Sequence, residues 1–160
     1  MIDWLHVSMR WLHLTAAVTW IGGMMFVVLV LVPIVKAEFP PEKRVQLVAA
    51  VGRRFRVVGW VSLTILILTG FYNLWEVSGP GFMSNKTYLS YLTAKLVLVL
   101  IVLTLSILHD FYYGPRLENF SADPSQGTYY RKLQQKVVLL ARVHLLLALA
   151  VLLLAKILTG

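Results

Sequence analysis

Cysteine is absent from the 160 residues. Its absence excludes disulfides, thiolate zinc sites, Cys-ligated iron-sulfur clusters and covalent haem attachment through C-x-x-C-H. Any metal or haem must be held by His, Met, Lys, carboxylate or backbone groups. Acidic residues are scarce too, 7 Asp and Glu against 15 Lys and Arg, and charged residues make up only 14% of the chain. Nothing resembles a nucleophile triad or a phosphate-binding glycine loop. There is no internal repeat, no low-complexity tract, no strict G-x-x-x-G in a span and no M-x-x-M run or His-Met cluster of the kind that suits Cu(I). Met9, Met24, Met25 and Met83 are therefore better read as packing residues, with Met9 and Met83 near the outer surface.

What the chain has in abundance is hydrocarbon. Hydrophobic residues reach 59% and mean hydropathy is +0.76, too apolar for a soluble domain of this length. Four apolar runs, at about 11-35, 57-75, 89-112 and 137-158, each approach the ~20 residues that cross a bilayer as a helix. Only helices of that length satisfy their own backbone in lipid. The fold class expected is all-α, an integral membrane four-helix bundle forming a single domain over 1-160, with antiparallel neighbours. The N-terminus lacks a basic lead and a small-residue cleavage site, so the first run reads as retained rather than as a signal peptide.

Trp4, Arg10 and Trp11 mark the first membrane interface, and Tyr88 and Tyr91 belt the entry to the third span. Pro33 is expected to kink the first helix. Pro40-Pro41 opens a basic stretch ending in Arg53, Arg54 and Arg56, expected as a short amphipathic surface helix between spans 1 and 2. The Gly/Pro/Ser-rich segment after Trp75 reads as a loop, as does Arg116 to Lys136, and Gly114-Pro115 is expected to end the third helix.

The net charge of +8 would suggest nucleic acid in a soluble chain, but here the basic residues flank apolar runs. Lys36, Lys43, Arg44, Arg53, Arg54 and Arg56 lie in the first connection, Arg116, Arg131, Lys132 and Lys136 in the third, and only Lys86 in the second. By the positive-inside rule the first and third connections face the cytoplasm and both termini face outward. The location expected is a bacterial inner membrane, with the lipid bilayer as partner and no role for nucleic acid.

Topology sorts the four histidines into two layers, His6 and His13 outside, His109 and His144 inside. His109 and His144 can approach one centre from facing helices, as a six-coordinate haem b iron requires. Arg53, Arg56 and Arg142 lie at that level and could receive propionates. The plainer alternative is an interfacial histidine bonded to water, headgroup or carbonyl. His6 and His13 share one face about 10 Å apart, too far for one metal ion but compatible with one haem site. Lys95 lies at the depth of His13, either snorkelling or facing a propionate or quinone-like substrate. Lys95, Val102 and His109 recur at heptad spacing on one face of the third helix.

The runs WLHLTAAVTWIGGMMF, GRRFRVVGW, LTILILTGFYNLW, AKLVLVL and LSILHDFYYGPRL together resemble the copper resistance D family of small bacterial membrane proteins. The first-span His with a following Trp, and the third-span Lys, are also similar to the HemJ type of protoporphyrinogen oxidase, four-helix proteins that bind haem b. That likeness implies His13 as a haem ligand and Lys95 as its functional partner. The segment VLVLVPIVK departs from the HemJ exit of the first span. The copper name implies copper uptake across the inner membrane.

Three functions are thus set against the structure. The first is a haem b protein, with one or two haems on His109, His144 and His13, working in electron transfer or as a small membrane oxidoreductase with a quinone or membrane redox partner. The second is copper handling through His6, His13, Met9 and Met24. The third is a structural or assembly subunit, in keeping with an oligomer.

Overall fold

A computed structural model describes residues 3-77, 85-120 and 127-159 of the chain. The described residues are helical almost throughout. Helix α1 spans Trp4–Met25, passes through a π-helical segment Phe26–Leu31 and continues as α2, Val32–Glu38. Helix α3 spans Pro41–Val77, and α4 spans Lys86–Ile107. A second π-helical segment, Leu108–Tyr113, leads into α5, Gly114–Phe120, and α6 spans Gly127–Thr159. Four of these rods, Trp4–Glu38, Lys43–Glu76, Lys86–Leu117 and Arg131–Leu158, are long and apolar enough to cross a membrane. The protein is an all-α, multi-pass membrane bundle.

Local chemistry starts the rods where the sequence supplies a cap. Asp3 accepts from the backbone N–H of Leu5 at 3.0 Å and of His6 at 3.3 Å, satisfying donors that the first turn of α1 leaves free. Asn85 does the same for α4 through the Tyr88 N–H at 3.0 Å.

The two π segments explain how helices survive their prolines. A proline in a helix lacks an N–H, and its ring clashes with the carbonyl four residues back. For Pro33 that carbonyl belongs to Leu29, inside the first π segment; for Pro115 it belongs to Phe111, inside the second. Widening the helix by one residue relieves the clash, as in the π-bulges found within α-helices. The expectation that Gly114-Pro115 ends the third helix is thereby corrected, since α5 carries the rod on to Phe120.

Two other boundaries shift for a related reason. The basic stretch after Pro40 is helical as expected, but it is the leading part of α3 rather than a separate surface helix. Between Pro41 and Val57 Gly52 is the one residue that strongly disfavours a helix interior, and Glu, Lys, Arg, Gln, Leu and Ala, which favour continuation, outnumber the three valines and Phe55. The Arg116 to Lys136 connection is also mostly helical, with 121-126 outside the described residues. The core of the expected second loop, with Met83, lies in 78-84 and is likewise outside them.

Helix α1 packs antiparallel on α3, and α4 packs on α6. The register of the first pair can be read from its contacts. His6 faces Glu76, His13 lies against Gly70, Trp20 against Gly59, and Phe55 fills the space beside Gly23. The apolar core is small, built on Trp20, Leu63, Val102 and Ala148. Ser62, Thr69, Ser106 and His144 are buried with it, whereas Leu68, Leu100 and Leu146 lie on the outside. In lipid such outward apolar side chains are already solvated, so the polar interior and the close approach of small residues hold the helices together.

Candidate functional site

Three histidines, the buried His144 and the half-buried His13 and His109, are each tied down through a ring nitrogen. On α1, His13 Nδ1 lies 2.7 Å from Thr69 Oγ1. The single hydroxyl proton of Thr69 goes to the Ile65 carbonyl at 2.6 Å, so its oxygen can only accept from the imidazole. Neutral His13 then donates from Nδ1, and the Leu66 carbonyl lies against the same ring. Lys95 of α4 is close enough to act on this ring electrostatically.

The same wiring recurs on α6. His144 Nε2 lies 3.2 Å from Ser106 Oγ, and Ser106 donates its proton to the Val102 carbonyl at 2.9 Å. His144 then donates from Nε2 and keeps its lone pair on Nδ1. The edge of Trp20 meets the ring, with centroids 5.5 Å apart and planes at 66°.

His109 stands in the second π segment and uses a carboxylate. Its Nδ1 is 2.8 Å from Asp110 Oδ1, and the other carboxylate oxygen accepts from Trp60 Nε1 at 3.0 Å. Both oxygens are thus engaged, and His109 presents a bare Nε2. Asp110 and His109 both act electrostatically on His144. His109, Asp110 and His144 consequently form one level of the bundle, and His13 with Lys95 forms another.

The sequence-predicted residues divide accordingly. His109 is brought near His144, and His13 near Lys95, while Val102 of the heptad stripe is buried between these levels. His6 lies at the mouth, 3.9 Å from Glu76 through Nδ1 and Oε2. Arg56 is half-buried, its guanidinium against the space where a Gly114 side chain would stand, and its Nε lacks a hydrogen-bond partner. Arg53 and Arg142 are exposed. Met24 packs against the core. Among the described residues no three of His, Asp and Glu converge as a metal cluster, so neither His13, His109 and His144 nor His109, Asp110 and His144 make a three-residue centre.

Charge separates what the two levels can hold. An imidazole oriented by a carboxylate is a common metal ligand, because the carboxylate fixes the tautomer and raises basicity. Asp110 supplies that carboxylate for His109. Lys95, in contrast, opposes a cation beside His13 and favours an anion there. Two grooves of about 410 and 330 Å³ open on α3, the first lined by α3 residues such as Phe55 and Val58, the second shared with α1 through Thr15 and Ala16. No histidine lines either groove.

Sequence reasoning missed the partners rather than the histidines. Thr69 and Ser106 are ordinary hydroxyls in apolar runs, and their only signal was polarity where lipid offers none. Asp110 was in plain view beside His109, and an acidic residue near the end of a span was the stronger clue. Trp60 was indistinguishable from an interfacial tryptophan.

Comparison with known proteins matches residues 49-158 to the family model described as copper resistance protein D. A protein of Aquifex aeolicus (strain VF5), described as an uncharacterized protein, is 34% identical over 106 residues, covering 66% of this chain and 68% of the relative. No solved structure matches. With that match extending over most of α3, α4, the second π segment, α5 and α6, and including the His109, Asp110 and His144 level, the chain belongs to the copper resistance protein D family.

Proposed function

We propose that the protein handles copper ions within the membrane, taking them as cargo at the level of His109 and His144. The observation that carries this reading is the pair of lone pairs, Nε2 of His109 and Nδ1 of His144, left on adjacent helices by the bonds to Asp110 and Ser106. Imidazole is a good copper ligand, and copper sits at the top of the divalent affinity order. Asp110 offsets the charge of an arriving cation, and the family match favours copper. By the basic bias of the first and third connections, this level lies toward the cytoplasm of a bacterial inner membrane and both termini lie outside. Uptake of copper inward is the direction that arrangement serves.

The test is metal binding by the purified full chain in detergent. Wild type takes up copper against a chelator, and His109→Ala and His144→Ala each weaken that uptake without loss of the folded peak in size exclusion. Equal copper affinity in both variants and wild type refutes the assignment. A red preparation with a Soret band and no copper would restore the haem b reading of the same two histidines.

A further inference from the structure

The N-terminal mouth of the bundle holds a second polar group that the His109 and His144 level does not use. His6 of α1 faces α3 beside Tyr72, with ring centroids 6.2 Å apart. Its Nδ1 is buried and makes no hydrogen bond. At 3.9 Å, Glu76 Oε2 is beyond hydrogen-bond reach. Asn73 Oδ1 is also buried without a partner. Asn73 is four residues after Thr69 and three before Glu76, both of which face α1, so the three residues share one stripe of α3.

We propose that His6, Asn73 and Glu76 form a binding station for a divalent transition-metal cation at this mouth. Two ligand atoms on one ion, each at about 2.0–2.2 Å, stand at most about 4.3 Å apart. The 3.9 Å between His6 Nδ1 and Glu76 Oε2 falls within that limit, so the two atoms are close enough to share one ion. It would also engage Asn73 Oδ1, giving both unpartnered atoms a role. Imidazole nitrogen with carboxylate and amide oxygens is a donor set for Cu²⁺, Ni²⁺ or Zn²⁺ rather than for Mg²⁺.

Electrostatics at the mouth support a cation. Asp3 and Glu76 both act on Tyr72, so two carboxylates flank this end of the bundle. The side chain of His6 is 22% exposed and that of Glu76 41%, which leaves the station open to an ion arriving from water. Lys95 stands one level deeper, beside His13, and takes no part in the station. The station depends on the copper reading only for which metal it takes.

The test titrates CuCl₂ into the purified full chain in detergent, read by Cu²⁺ electron paramagnetic resonance and calorimetry. Wild type shows a bound Cu²⁺ with imidazole-nitrogen coupling. In the His109→Ala, His144→Ala background, where the inner level supplies no imidazole, His6→Gln removes that coupling, and His6→Gln and Glu76→Gln each weaken binding roughly tenfold or more. Asn73→Leu weakens it less, while a His109→Ala, His144→Ala double variant leaves the coupling in place. Retention of wild-type affinity and coupling by both His6→Gln and Glu76→Gln overturns the station, as does loss of the signal in the double variant. If the station binds Cu²⁺ while the His109 and His144 variants take up copper like wild type, the station stands and the function proposed above falls.

Discussion

Replacing Asp110 with Asn is the most informative single change because it alters one atom and leaves the shape of the side chain intact. In the native arrangement both carboxylate oxygens accept, one from His109 Nδ1 at 2.8 Å and one from Trp60 Nε1 at 3.0 Å. Asparagine has one oxygen and one NH₂, so it cannot accept from both. Trp60 can only donate. Directing the NH₂ at Trp60 sets two donors face to face and leaves the indole N–H unsatisfied, at a cost of about 1–3 kcal/mol. The cheaper solution turns the oxygen to Trp60 and the NH₂ to His109, which must then accept on Nδ1. That transfers the imidazole proton to Nε2, the nitrogen that would meet the metal, and also removes the negative charge that offsets a cation. Loss of such a partner typically lowers metal affinity 10–100-fold, about 1.4–2.7 kcal/mol. Chelator competition with copper reads the affinity, and ¹⁵N chemical shifts of His109 read the tautomer. An Asp110→Asn protein that binds copper like wild type, with Nε2 still unprotonated, would refute the reasoning.

The glycine pair on α1 separates packing from composition. A methyl group at Gly23 would collide with the Phe55 ring, whereas one at Gly22 meets nothing within 4 Å. Gly23→Ala should cost about 1–3 kcal/mol by overpacking and lower the melting temperature in detergent, while Gly22→Ala should not; equal melting of the two would contradict the α1/α3 register. Thr69→Val leaves the His13 Nδ1–H without its acceptor and should destabilise by about 1–3 kcal/mol, with Thr69→Ser restoring the wild-type melt. Rescue failing with serine would mean the hydroxyl is not what matters. A reporter fused after Gly160 should score outside the cytoplasm, and a cytoplasmic score would invert the proposed direction of uptake while leaving the two levels intact.

Hydrophobic run length was enough to read four membrane rods, because a helix that crosses lipid has to be about 20 apolar residues long whatever it packs against. Heptad spacing was also enough to put Lys95, Val102 and His109 on one face, since that face is a property of the helix alone. Proline was misread at Pro115, where a stop was expected and a π segment lets the rod continue. Proline's clash is local, but whether a helix breaks or widens depends on what the packed neighbours allow.

The chain's own order of residues therefore determined the class of protein, the number of rods and the depth of each histidine, all of which follow from rise per residue and from the cost of polar groups in lipid. Tertiary structure alone decided the partners. Thr69 and His13 are 56 positions apart, Ser106 and His144 38, and Trp60 and Asp110 50. No periodicity within one helix reveals which hydroxyl or carboxylate a facing helix will bring to an imidazole. Those partners fix which ring nitrogen keeps its lone pair, and so which chemistry each histidine can perform.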